Sequence, residues 1–176
     1  YNPTNAVCVL VGDVTLEKAR KLAEIYFERY PAGRRAPETV TREPVQQGPR
    51  ESIRYLKGAR TPLVRIGFHG ARMDTTDFYA LDALTMILSH GRSARMDQEI
   101  VNKGLAQSAW SYNPDNRYGG MIIFGGSPNE PETIKKQGAS DEEKRRAYLK
   151  ACAQLEELLL AQAEKMKTEL VAESEL

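Results

Sequence analysis

The sequence predicts an α+β fold: a mainly antiparallel sheet covered by helices. Three observations predict it. Strand-like and helix-like stretches are mixed without the strict βαβ alternation of a parallel sheet. Neighbouring strand candidates are joined by short turns, which suits antiparallel pairing. Hydrophobic residues make up 41% of the chain and charged residues 28%, enough apolar matter for a core and too much for wholesale disorder. A length of 176 residues fits one domain, so 1–176 is expected to be a single domain with a long amphipathic helix at 140–170.

The elements follow in order. Residues 6–11 (AVCVLV) are continuously apolar and β-rich, as expected of a strand covered on both faces. Gly12-Asp13 ends it, and Thr15 is a suitable N-cap for a helix whose apolar face is Ala19, Leu22, Ala23, Tyr26, Phe27 and Tyr30. Pro31 and Gly33 stop that helix. Residues 31–50 hold four prolines and two glycines and read as an extended connector. Residues 52–56 and 63–68 read as strands around a turn at Gly58-Ala59-Arg60. Asp74-Thr75-Thr76-Asp77 opens a helix carrying Phe78, Leu81, Leu84 and Leu88, which Gly91 breaks. Ser93 is expected to cap a third helix running to about Asn102. Residues 107–112 and 118–124 form a hairpin around Asn113-Pro114-Asp115-Asn116. Ser140 and Glu143 make a capping box for the long helix. Its apolar stripe is Tyr148, Cys152, Leu155, Leu159, Ala163 and Met166. The stripe is expected to pack on the sheet, with docking of a partner as the other reading.

Charge and composition exclude several classes. There are 25 basic residues against 24 acidic ones, a net charge of +1, which leaves no electrostatic footprint for nucleic acid or an anionic membrane. No apolar run approaches the roughly 18 residues of a transmembrane helix. Cys8 and Cys152 lie far apart in apolar surroundings and read as two buried free thiols rather than a disulfide. The chain opens on Tyr1-Asn2-Pro3 without an initiator Met or a signal-like segment and runs almost at once into a strand. It reads as a piece of a longer protein with any targeting signal upstream.

Little in the sequence carries catalytic chemistry. The two histidines, His69 and His90, belong to no HExxH or HxxEH motif, so neither is expected to ligate a metal. No GxSxG elbow occurs, neither cysteine has a histidine nearby, and the glycine pairs match no phosphate-binding loop. Gly91-Arg92-Ser93-Ala94-Arg95 is a glycine-led turn with two arginines at a helix start, where free N–H groups favour negative charge. It is a possible anion or interface turn, although Ser93 as a plain cap accounts for the same residues. Trp110 and Tyr112 alternate along one strand and share a face, as core, interface or ligand platform.

Two blocks resemble a known family. YNPTNAVCVLVGDVTLEKARKLAEIYFERYPAG is similar to the passage opening the second domain of pitrilysin/insulinase-type zinc metallopeptidases. LVRIGF, an Asp, ILSHGRSARMDQEIVNKGLA and a Tyr-Asn pair resemble the middle of that domain, so the likeness covers residues 1 to about 125. It implies a metallohydrolase fold of the mitochondrial-processing-peptidase type, in which related α+β domains enclose a proteolytic chamber. The first domain of such proteins carries the HxxEH zinc motif, so this chain is expected to be the non-catalytic domain that walls the chamber. No cofactor is expected in the chain itself, and zinc is expected in the parent protein.

Many relatives also carry an Arg before the Gly-Leu-Ala segment and a Tyr after it, which grip the substrate backbone. Here Gln107 occupies the Tyr place, and the Arg place falls at Ile100 or Val101. An aliphatic side chain supplies no guanidinium fork. The resemblance therefore implies three partners: an upstream zinc-bearing domain of the same chain, a second homologous subunit that brings the pair, and a peptide substrate. The other reading is a structural subunit without proteolysis, as among inactive family members. An unrelated α+β ligand-binding domain is a third. The expected compartment is bacterial periplasm or cytoplasm.

Overall fold

The computed structural model describes residues 3–34, 44, 46–59, 61–135 and 138–171. Tyr1, Asn2 and much of the proline-rich connector (35–43 and 45) lie outside the described residues, as does Arg60 of the expected turn. The chain divides into two compact units, Tyr1–Ile53 and Arg54–Leu176.

In the first unit Pro3–Asn5 form a 3-10 turn and Leu16–Phe27 form helix α1. The Thr15 hydroxyl accepts a hydrogen bond from the Lys18 N–H at 3.3 Å, the expected cap. The helix ends at Phe27 rather than at Pro31, with the Glu28 N–H bonded to Glu24 O and the Tyr30 N–H to Phe27 O. A residue before proline is disfavoured in the α conformation, so the last turn unwinds ahead of Pro31.

Residues 6–11 depart from expectation. They pair with no strand among the described residues, and Val7 and Val11 are 90% and 93% exposed. Apolar β-rich composition states what a segment would bury; a strand also needs a neighbour to complete its ladder. Cys8, within this stretch, is free but exposed, not buried.

The second unit is built on a three-stranded antiparallel sheet in the order β1-β3-β2. Its strands are β1 (Val64–Gly70), β2 (Ala106–Tyr112) and β3 (Gly120–Pro128). The hairpin expected around residues 113–116 is present, with Tyr112 opposite Ile123 and Trp110 opposite Gly125. The strand expected at 52–56 is not: these residues carry no ladder, and Leu56 is 75% exposed.

Helix α2 (Thr76–Ser89) ends where the His90 N–H bonds to Met86 O, and Gly91 then turns the chain at φ +82°. The following helix differs from expectation. It is a short π turn, Asp97–Val101, with the Asn102 N–H on Asp97 O and the Leu105 N–H on Ile100 O. Its entry is closed by the Ala94 N–H on Gly91 O, and the Ser93 hydroxyl makes no hydrogen bond among the described residues. A backbone bond at that point removes the need for a side-chain cap.

Helix α3 (Glu132–Lys135) is one turn, and α4 (Asp141–Thr168) is the long helix. Both arms of its capping box are made: the Glu143 N–H donates to Ser140 Oγ at 3.3 Å, and the Ser140 N–H donates to the Glu143 carboxylate at 2.8 Å.

The core is one cluster: Leu88 of α2, Met96 and Ile100 at the π turn, Ala106, Ile122 and Phe124 of the sheet, and Leu155 and Leu159 of α4. The long helix thus lays its stripe on the sheet, as expected. Buried polar groups at the end of β2 and just beyond it are satisfied by α2. The Ser89 and Ser111 hydroxyls lie 2.9 Å apart, Ser111 also donates to Thr85 O, and the Asn113 amide donates to Phe78 O. These bonds tie strand to helix and avoid the penalty of an unpaired buried dipole.

Candidate functional site

The residues singled out in the sequence fall in three places within the second unit. The first is the start of β2. Ala106 pairs with Pro128 and Ser108 with Ser127, so Gln107 is the extra residue of a bulge in the ladder. Bulges re-aim side chains, and Gln107 is exposed. With Thr61, Pro128, Glu130 and Tyr148 it lines a hollow of about 210 Å³. Burial raises the Tyr148 phenol above its ordinary pKa, with the Glu130 charge adding to the effect, so the hydroxyl stays protonated beside a carboxylate. The side chains of Thr61, Gln107, Glu130 and Tyr148 make no hydrogen bond or ion pair among the described residues.

Ile100 and Val101, the two places at which the resemblance puts a missing Arg, part company in the structure. Ile100 is fully buried in the core and Val101 is only partly buried at the end of the π turn. Successive side chains on a helical turn point about 100° apart, so one faces the core while the next does not.

The second place is the Gly91–Arg95 turn. Arg92 and Ser93 are exposed, whereas Arg95 is held. Its side chain is 11% exposed, and the guanidinium pairs with Glu169 at 3.4 Å and donates to Leu170 O at 3.2 Å. It thereby occupies the carbonyl end of α4, where a cation is stabilised by the helix dipole. Beside it Ser93, Gln98, Glu99, Gln162 and Lys165 line a second hollow of about 280 Å³. Its charges are balanced: Glu99 bonds Lys103 at 2.6 Å, which holds its carboxyl below the ordinary range, and Lys165 adds to this. The side-chain oxygen of Gln162 is buried there without a partner among the described residues.

The third place is the sheet face away from the core. Trp110 and Tyr112 do share it, with Trp110 lying against Gly125, where any Cβ would strike the indole. Met121 and Ile123 of β3 alternate onto the same face.

Among the described residues no group of three or more His, Cys, Asp and Glu side chains could hold a metal ion. His69 ends β1 and His90 ends α2. Cys152 is free, and burial pushes its thiol pKa up, which disfavours the thiolate. No helix among the described residues is long and apolar enough to cross a membrane.

Two groups at these places were not visible in the sequence. Glu130 and Tyr148 meet Gln107 only through folding, from the end of a strand and the face of a distant helix. Glu169 and Leu170 reach Arg95 across more than seventy residues. No local pattern of residues announces either meeting.

Comparison with known proteins agrees with this absence of catalytic groups. The chain is 32% identical over 143 residues to zinc protease PqqE of Helicobacter pylori, covering 78% of this chain and 32% of that protein. A crystal structure of a protease from Helicobacter pylori superposes with a TM-score of 0.70 at 26% identity, covering 94% of this chain and 36% of the other. The chain therefore spans about a third of the length of these relatives. All of residues 1–176 match the family described as the peptidase M16 inactive domain. The α+β fold and the expectation of a non-catalytic peptidase domain are thereby met, and the chain belongs to the peptidase M16 inactive-domain family.

Proposed function

We propose that this chain acts as a single non-catalytic domain within a zinc metalloendopeptidase, where it walls the proteolytic chamber and supports a zinc-bearing domain elsewhere in the same protein. The observation that carries this reading is the match of the whole chain to the inactive-domain family. The absence of a metal-ligating cluster among the described residues fits it.

The reading extends to a split grip on the substrate backbone. Gln107 stands in the Tyr place, and Val101 is the better counterpart of the missing Arg because Ile100 is committed to the core. A second, homologous subunit of the mitochondrial-processing-peptidase kind would then bring the Arg and Tyr, making a heterodimer around a peptide substrate. The Gly91, Arg92 and Ser93 part of the turn is exposed enough to form an interface, whereas Arg95 is engaged within the domain. A bacterial setting, periplasm or cytoplasm, is supported by the Helicobacter pylori relative.

The test is zinc content and peptide cleavage of the full-length protein, alone and with any paralogous subunit. Zinc in the protein, with cleavage only in the pair, is the expected result. A full-length protein without zinc and without cleavage in any combination would show a structural subunit instead.

A further inference from the structure

We propose that the hollow at the start of β2 receives a basic side chain, a lysine ammonium or an arginine guanidinium, from a bound peptide. The proposal rests on the reading of the parent as a peptidase, and adds a preference for charge.

The lining carries the argument. Of its five residues, Thr61, Gln107, Glu130 and Tyr148 present side-chain oxygens, and only Glu130 is charged. None of these four side chains is hydrogen-bonded or within ion-pair distance of another described residue, so their acceptor capacity is available; Lys135 feels the Glu130 charge, but its own ion pair is with Glu132 at 2.7 Å. Lysine offers three donors and arginine five, with no acceptor, which suits a set of oxygens around one carboxylate. An anion entering the same space would face the Glu130 charge. An apolar group would strip water from four polar side chains and replace none of their hydrogen bonds. Pro128 supplies an apolar wall along which the methylene stem of a basic residue lies while its charged head reaches the oxygens.

Two further observations support the same occupant. The Tyr148 phenol senses the Glu130 charge, so hydroxyl and carboxylate act on one space. The hollow also opens at the end of an outer strand of the described sheet, beside the bulge that turns Gln107 out of the ladder. An extended peptide is the ligand form that such a strand end meets.

The experiment uses the full-length protein with a chelator present, so that binding is read without cleavage. Fluorescence anisotropy compares labelled Ala-Ala-Lys-Ala-Ala with the same peptide bearing norleucine in place of lysine. The lysine peptide is expected to bind about threefold to fivefold more tightly, the scale of a partly solvated ion pair. Glu130→Gln should abolish that preference, and Glu130→Lys should transfer it to a glutamate-bearing peptide. Tyr148→Phe should weaken lysine binding by a smaller factor, about twofold. Glu164→Gln, on α4 outside the hollow and paired with Lys167, should leave the preference intact. Equal affinity for the lysine and norleucine peptides, or a preference that survives Glu130→Gln, overturns the proposal. Zinc content and cleavage are measured separately. A cleaving protein without the lysine preference would lose the hollow but keep the peptidase reading. The preference in a protein lacking zinc and cleavage would do the reverse.

Discussion

Helices α1 and α4 are both amphipathic and both capped, yet they end in opposite circumstances. Helix α1 is the more sharply two-faced, and the Thr15 cap closes its first turn. Not one of its residues is buried, and Tyr26 and Phe27 of its apolar face are each 58% exposed. Helix α4 has a weaker segregation of apolar residues, but Leu155 and Leu159 are sealed against β3 and the rest of the core. Amphipathicity sets which face of a helix is able to bury, and capping sets where the helix starts. Whether burial follows depends on an apolar surface being brought to that face, and in the second unit the hairpin and β1 provide it.

The sharpest way to break this comparison is Leu159→Ala. Loss of a fully buried leucine should cost about 2–5 kcal/mol, from the lost transfer energy and the cavity left behind. Urea unfolding reads it, and a cost below about 1 kcal/mol would mean that the α4 stripe is not the core.

Next is Ser140→Ala, which removes one arm of the α4 cap and should cost about 1 kcal/mol in the same measurement. Hydrogen bonds from Ser140 hold the Glu143 carboxyl below its ordinary pKa. A depressed folded-state pKa contributes stability above the unfolded value and loses it as pH falls through the folded one. The cap should therefore weaken as pH drops below the ordinary glutamate range, and Glu143→Gln should flatten that acid-side slope.

The counterpart in α1, Leu22→Ala, should change stability by no more than about 0.5 kcal/mol, as for other exposed positions. A loss close to that of Leu159→Ala would show that the α1 stripe is buried in the working protein, and would erase the contrast.

The smallest effect compares the cysteines. Cys8 is exposed, while Cys152 lies partly buried on α4 with its thiol pKa raised by that burial. Iodoacetamide at neutral pH should modify Cys8 first, since the thiolate is the reactive form. Mass spectrometry of the timed reaction checks it; equal rates would mean that Cys152 is far more open.

Much of the second unit was legible because its signals are local and agree with one another. Ser140 and Glu143 meet within one helical turn, and the stripe from Tyr148 to Met166 keeps the helical period along a helix of 28 residues. The Asn113-Pro114-Asp115-Asn116 turn lies between two runs that pair with each other, and hairpin partners are close in sequence. Residues 6–11 and 52–56 look as strand-like as β1 but pair with nothing among the described residues, since composition carries no information on a remote ladder partner. The π turn was read as an ordinary helix because its distinguishing bonds, five residues apart, leave the apolar pattern almost unchanged.

The candidate site divides in the same way. Gln107 and the aliphatic pair Ile100 and Val101 could be picked out from the sequence by resemblance, and the side shared by Trp110 and Tyr112 by strand periodicity. Sequence also determined the capped helices, the hairpin and the lack of a zinc motif, because each depends on residues a few positions apart. Only the tertiary structure decided that Ile100 enters the core while Val101 does not. It also closed Arg95 on the end of α4, and brought Glu130 and Tyr148 to Gln107. Those outcomes depend on how distant surfaces meet, and the energy of meeting is a property of the assembled pair rather than of either segment.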